Sequence, residues 1–120
     1  MDSRPKVLVA EDDEFVVSLL SALEEYETTI VQNGEDCLAV LEKQEFDAVI
    51  LDVLMPKKSG LAVLRKLKQD YPETAVVVVT GYGDILRPQV TEIGVDSFIE
   101  KPFTLEDIKN AVNAALEARK

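Results

Sequence analysis

At 120 residues and 13.3 kDa the chain suits one domain, because compact domains most often hold about 100 to 150 residues around a single core. Its 47% hydrophobic and 30% charged residues are ordinary for a soluble globular protein, no apolar run approaches the roughly 20 residues of a membrane span, and neither a signal peptide nor an anchor is visible. Thirteen basic against 23 acidic residues give a net charge of -10, which argues against direct binding to nucleic acid or anionic lipid, and the absence of histidine excludes Ser-His-Asp and Cys-His catalysis, His-ligated zinc and a phosphohistidine carrier.

The first predicted strand, Lys6 to Ala10, holds the unbroken run Val7-Leu8-Val9 and is followed at once by Glu11, Asp12 and Asp13. Val16, Leu19, Leu20 and Leu23 then recur at helical spacing. Thr28 to Gln32 reads as the second strand, and Asn33 after it can cap a helix with Asp36 at the third helical position and Leu38 and Leu41 on its apolar face. Cys37 belongs to that face, where core packing is preferred over a redox role. As a lone cysteine it forms no internal disulfide, which points to a reducing cytoplasm.

Asp47 to Leu51 is the third strand, nearly continuous in hydrophobes, and runs straight into Asp52. Leu61, Leu64 and Leu67 mark the third helix, which Pro72 ends. Ala75 to Val79 is the fourth strand, with four consecutive valines before Thr80. In Tyr82 to Ile93, Pro88 removes an amide and disfavours a helical conformation at Arg87, so the fourth helix is expected to start late or be irregular before Gly94 closes it. Asp96 to Ile99 is a more mixed fifth strand leading to Lys101 and Pro102. Thr104 caps the last helix, with Asp107 at its third position and Leu105, Ile108, Val112 and Leu116 along its stripe.

The alternation predicts an α/β fold over residues 1–120, a doubly wound five-stranded parallel sheet with right-handed crossovers and helices on both faces. In such a sheet the carboxyl ends of the strands share one edge, and ligands bind there at the point where strand order reverses. With the flavodoxin-like order 2-1-3-4-5, Glu11, Asp12 and Asp13 flank the same crevice as Asp52. Asp13 and Glu14 are better read as capping the first helix. The remaining carboxylates repel one another unless a cation neutralises them, and a hard divalent ion, Mg²⁺ foremost, does so while leaving sites for water or phosphate.

Asp52 ends a run so hydrophobic that a carboxylate there needs a hydrogen-bonded cap or a function, and beside a metal it can attack phosphorus to give an aspartyl phosphate. Lys101 is the natural second cation for the phosphoryl oxygens, with a solvated surface lysine as the alternative. Thr80 can offer a hydroxyl to the same group or cap a turn.

The segments Val7 to Asp13, Asp47 to Pro56 with Gly60, Val78 to Gly81 and Phe98 to Phe103, in this order, make the whole chain resemble the CheY-like receiver domains of two-component response regulators. The resemblance implies Asp52 as phosphoacceptor, Mg²⁺ held by Glu11, Asp12, Asp52 and the backbone carbonyl of Leu54, and a phosphoryl group bound by Thr80 and Lys101. It also implies a switch in which Thr80 moves toward the phosphate and Phe98 turns inward, although plain core packing is an equal reading of Phe98. The implied donor is a sensor histidine kinase or histidine phosphotransfer protein. The implied output surface is the fourth helix, fifth strand and fifth helix, facing an effector domain or protein. Phosphorylation-dependent homodimers are compatible with this and not required by it. Such a domain catalyses only its own phosphorylation and dephosphorylation.

Three departures from the pattern matter. Glu11 stands where Asp is frequent, which lengthens the arm and keeps its charge. The stretch Gly83 to Pro88 looks shorter or differently wound, on the surface where a partner is expected. An apolar Leu54 and a bulky Tyr82 flank the site and predict slower loss of phosphate than in Leu54→Asn or Tyr82→Ala variants. Lys57 and Lys58 read as a solvated turn in preference to a docking patch. A Mg²⁺-dependent aspartyl-phosphate phosphatase is disfavoured, because Leu54 occupies the place of its second Asp and no cap domain is present. A non-phosphorylated interaction module is disfavoured by the full set of site residues.

Overall fold

The computed structural model describes residues 3–54, 59–81 and 83–119, with the backbone alone at Asp84. Strands and helices alternate as β1 (Lys6–Ala10), α1 (Glu14–Leu20), β2 (Glu27–Val31), α2 (Gly34–Lys43), β3 (Ala48–Asp52), α3 (Gly60–Asp70), β4 (Ala75–Thr80), α4 (Gly83–Ile93), β5 (Ser97–Glu100) and α5 (Leu105–Ala118). The five strands are parallel and ordered β2-β1-β3-β4-β5, as the sequence predicts.

Period-two alternation along the strands divides the interior into two layers. Leu8, Ala10, Val49, Leu51, Val76 and Val78 pack with residues of α2, α3 and α4, among them Cys37, Leu64 and Val90. Val7, Val9, Ile50, Val77 and Val79 pack on the other face with Val16 and Leu20 of α1 and Ile108 and Val112 of α5. The chain starts in the middle of the sheet, adds β2 on one side, then crosses to β3 on the other. Right-handed crossovers therefore change face at that reversal and open a crevice between the ends of β1 and β3. Residues on β3 and β4 are buried throughout, which explains their unbroken hydrophobic runs.

Caps fix most helix starts. Asp13 Oδ1 accepts from the Phe15 and Val16 amides, Asn33 Oδ1 accepts from the Asp36 amide, and Thr104 forms a reciprocal capping box with Asp107. Ser59, which the sequence reading missed, caps α3 by accepting from the Leu61 amide. Gly94 follows α4 with a φ of 98°, a conformation that favours glycine.

Two expectations are corrected. The helical spacing to Leu23 overstates α1, which ends at Leu20. Ala22 and Leu23 instead donate to the carbonyls three residues back, and Leu23 is buried from that tighter turn. The fourth helix does not start late: α4 runs from Gly83 to Ile93 with Pro88 inside it. One lost backbone bond at Pro88 is outweighed by packing of Leu86, Val90 and Ile93 onto the core. No helix among the described residues is long and apolar enough to cross a membrane.

Candidate functional site

The site is built by chain segments that leave the sheet at one edge. The Glu11 amide extends the ladder past β1 by donating to the Val31 carbonyl at 3.0 Å, and Asp52 is the last residue of β3. The Lys101 amide donates to the Thr80 carbonyl at 2.8 Å, so the β4–β5 ladder sets the starting point of the lysine side chain. The Lys101–Pro102 peptide is cis.

Lys101 Nζ bridges the two buried carboxylates, donating to Asp52 Oδ2 at 3.1 Å and standing 2.8 Å from Glu11 Oε1. That second contact has ion-pair distance but not hydrogen-bonding geometry, so Oε1 is a buried carboxylate oxygen with no hydrogen bond. Glu11 Oε2 accepts from the Asp13 amide at 3.1 Å, and Asp52 Oδ1 accepts from the Leu54 amide at 2.9 Å. Both bonds reach the amide two residues on, the Asx-turn pattern for Asp52 and its longer analogue for Glu11.

Glu11 and Asp52 are almost inaccessible, with 0% and 4% of their surface exposed, whereas Asp12 is exposed. Burial pushes the Glu11 carboxyl up to about 7, with Lys101 opposing and Asp52 adding to the rise. Burial acts downward on Lys101, yet the carboxylates of Glu11 and Asp52 together hold it above the ordinary lysine value. The group therefore carries more negative charge than one ammonium can balance.

Glu11, Asp12 and Asp52 each offer a carboxylate oxygen, all within 4.8 Å of one another. Three hard oxygen donors fit a small divalent cation, and Glu11 among them has a buried oxygen without a hydrogen bond. Thr80, fully buried, ends β4 one residue beyond the register partner of Asp52. It faces the same layer as Val78 and Phe98, and Phe98 lies opposite Val78 in the register, against the core under α4. Leu54 is 46% exposed beside Asp52. The structure thus brings Glu11, Asp12, Asp52 and Lys101 into one cluster, with the Leu54 amide on Asp52 and Thr80 at the same edge. Sequence reasoning missed the amides of Asp13 and Leu54, although an acid followed two residues later by a free amide at a strand end is a readable turn signal. Expectations for Met55, Pro56, Lys57, Lys58 and Tyr82 lie outside the described residues. Cys37 is buried, and burial pushes its thiol up to about 12, consistent with packing and not with redox chemistry.

The family model described as the response regulator receiver domain matches residues 7–113. The chain belongs to the response regulator receiver domain family.

This receiver domain is 35% identical over 115 residues to the transcriptional regulatory protein CpxR of Klebsiella pneumoniae, covering 92% of this chain and 49% of that protein. The chain spans about half the length of the curated relatives it matches. Among solved structures, a CheY-like receiver domain protein from Methanospirillum hungatei superposes with a TM-score of 0.90 at 26% identity, covering 98% of this chain and 97% of that one. The DrrB receiver domain described as BeF3-activated superposes at 0.86 with 30% identity, covering 95% and 98%. The acidic cluster of this receiver domain lies where the strand order reverses, the position that the fold reserves for ligands.

Proposed function

We propose that the domain accepts a phosphoryl group onto Asp52 from the phosphohistidine of a sensor histidine kinase or histidine phosphotransfer protein, with Mg²⁺ as cofactor. The observation that carries this reading is the placement of Asp52, a buried carboxylate held by Lys101 and within reach of two further carboxylates. Glu11, Asp12, Asp52 and the Leu54 carbonyl would hold Mg²⁺, and the bound ion would supply positive charge for the phosphoryl oxygens.

The chain's own residues account for the rest. One Asp52 oxygen forms the new bond to phosphorus while the donor's P–N bond breaks, and the electron pair leaves with the imidazole nitrogen. The Leu54 amide and Lys101 ammonium orient the carboxylate, and Lys101 is placed to follow the charge onto the transferred group. Thr80 would bind a phosphoryl oxygen, and with Phe98 would form the switch that alters the surface of α4, β5 and α5. The domain would catalyse only its own phosphorylation and dephosphorylation. The name of CpxR as a transcriptional regulatory protein supports an effector domain or protein downstream, and hence a cytoplasmic setting.

The test is intact mass after incubation with Mg²⁺ and acetyl phosphate, beside an Asp52→Asn variant and a chelator control. A single phosphate adduct that requires both Mg²⁺ and Asp52 is expected. A folded protein that gains no adduct, or gains one equally in Asp52→Asn, sinks the proposal.

A further inference from the structure

Two side chains near the site, Arg87 and Glu100, are not used by this chemistry. Phe98 and Glu100 are two residues apart on β5, so their side chains leave the same face of the sheet, the face they share with Val78 and Thr80. Above them on α4, the guanidinium carbon of Arg87 lies 4.3 Å from the centroid of the Phe98 ring. Its Nη2 donates to Glu100 Oε1 at 3.0 Å. The cation therefore caps one face of the ring while the carboxylate fixes the cation, and the ring also packs against the buried cluster that includes Val78 and Val90. Gly83 makes room for this arrangement, because a Cβ there would stand 2.4 Å from Glu100 Cδ.

We propose that Arg87 is a positioning residue that holds the Phe98 ring at the α4–β5 surface and so favours the resting state of the domain. The proposal rests on the reading of Thr80 and Phe98 as the switch pair. A ring that turns toward Thr80 gives up the guanidinium, so any ligand of Asp52 that prefers the turned state must work against this contact. Removing the contact raises the population of the turned state, and the apparent affinity for such a ligand rises in proportion. Arg87 and its carboxylate partner are both about half-exposed, which bounds the effect to a modest factor.

The experiment titrates the full chain with beryllofluoride in the presence of Mg²⁺, using the unmodified protein, Arg87→Ala, Arg87→Lys, Phe98→Leu and the Arg87→Ala/Phe98→Leu double variant. Thermal melts establish that each is folded. Arg87→Ala is expected to lower the apparent Kd about threefold. Arg87→Lys, which keeps the charge but not the planar stack, should recover part of the original value. In the Phe98→Leu background, Arg87→Ala should change nothing further, because its target is gone. Equal affinity in the unmodified protein and Arg87→Ala overturns the positioning role alone, as does an undiminished shift in the Phe98→Leu background. Failure of the unmodified protein to bind beryllofluoride at all overturns the phosphoacceptor reading, and the latch with it.

Discussion

Glu11 is the residue whose state the site controls most strongly. Its fully buried carboxyl has one oxygen on the Asp13 amide and the other beside Lys101 without a hydrogen bond. Burial raises it from the ordinary 4.5 to about 7, so the folded state holds a proton there that the unfolded chain has already released. A raised folded value means that the stabilising contribution is complete below pH 4.5 and is lost as pH rises through about 7. The difference is on the order of 3 kcal/mol. In metal-free buffer the melting temperature should therefore fall between pH 5 and pH 8 more steeply than in Glu11→Gln, where the neutral amide removes this ionisation. Parallel curves for the two proteins would contradict the assignment. With Mg²⁺ as the proposed cofactor, the ion would compete with the proton for the Glu11 carboxylate, so it should raise the melting temperature more at pH 8 than at pH 5.5.

Among the elements, α3 starts against the segment that leaves β3 at the site. Gly60 begins it against the backbone of Val53, where an added Cβ would lie 2.2 Å from Val53 Cα. Relief must shift either the start of α3 or the Val53 backbone, and the second moves the segment that carries Asp52 and Leu54. Gly60→Ala should cost about 1–3 kcal/mol in denaturant unfolding and slow phosphorylation by acetyl phosphate as well. An unchanged rate with unchanged stability would show that the approach is looser than the structure has it. The elements also show what a sequence can disclose. Strands β1, β3 and β4 are legible because both faces are covered, which leaves unbroken runs such as Val76 to Val79. The α4 start was misjudged because Pro88 is a local signal, whereas the packing of Leu86, Val90 and Ile93 that sustains the helix is tertiary. Clustering of Glu11, Asp52 and Lys101 was legible because parallel strands deliver their ends to one edge. The stack of Arg87 on Phe98 was not, because it depends on how α4 lies over β5.

At the scale of the whole molecule, the edge opposite the site is fastened by Arg119. Its Nε and Nη2 donate to the two oxygens of Asp96 at 3.2 and 3.0 Å, and its Nη1 donates to the Pro72 carbonyl at 2.8 Å. Asp96 also accepts from the Val76 amide at 2.7 Å, so one guanidinium ties the end of α5 to the starts of β4 and β5. Burial alone would raise the Asp96 carboxyl, but Arg119 and the Val76 amide outweigh it and hold the group below its ordinary value. Arg119→Ala should lower unfolding stability by roughly 1–3 kcal/mol while leaving the acetyl phosphate reaction at Asp52 intact. Equal loss of both would mean that the two edges are not independent.

The division of the interior into two layers has a consequence for addressing. On β4 and β5 the even-numbered residues Val76, Val78, Thr80 and Phe98 look toward α3 and α4, and the odd-numbered Val77, Val79 and Ile99 toward α1 and α5. Residue parity therefore decides which half of the molecule can sense what happens at Thr80. A one-residue insertion between Val78 and Thr80 would keep every residue of the site and yet redirect the hydroxyl to the wrong half.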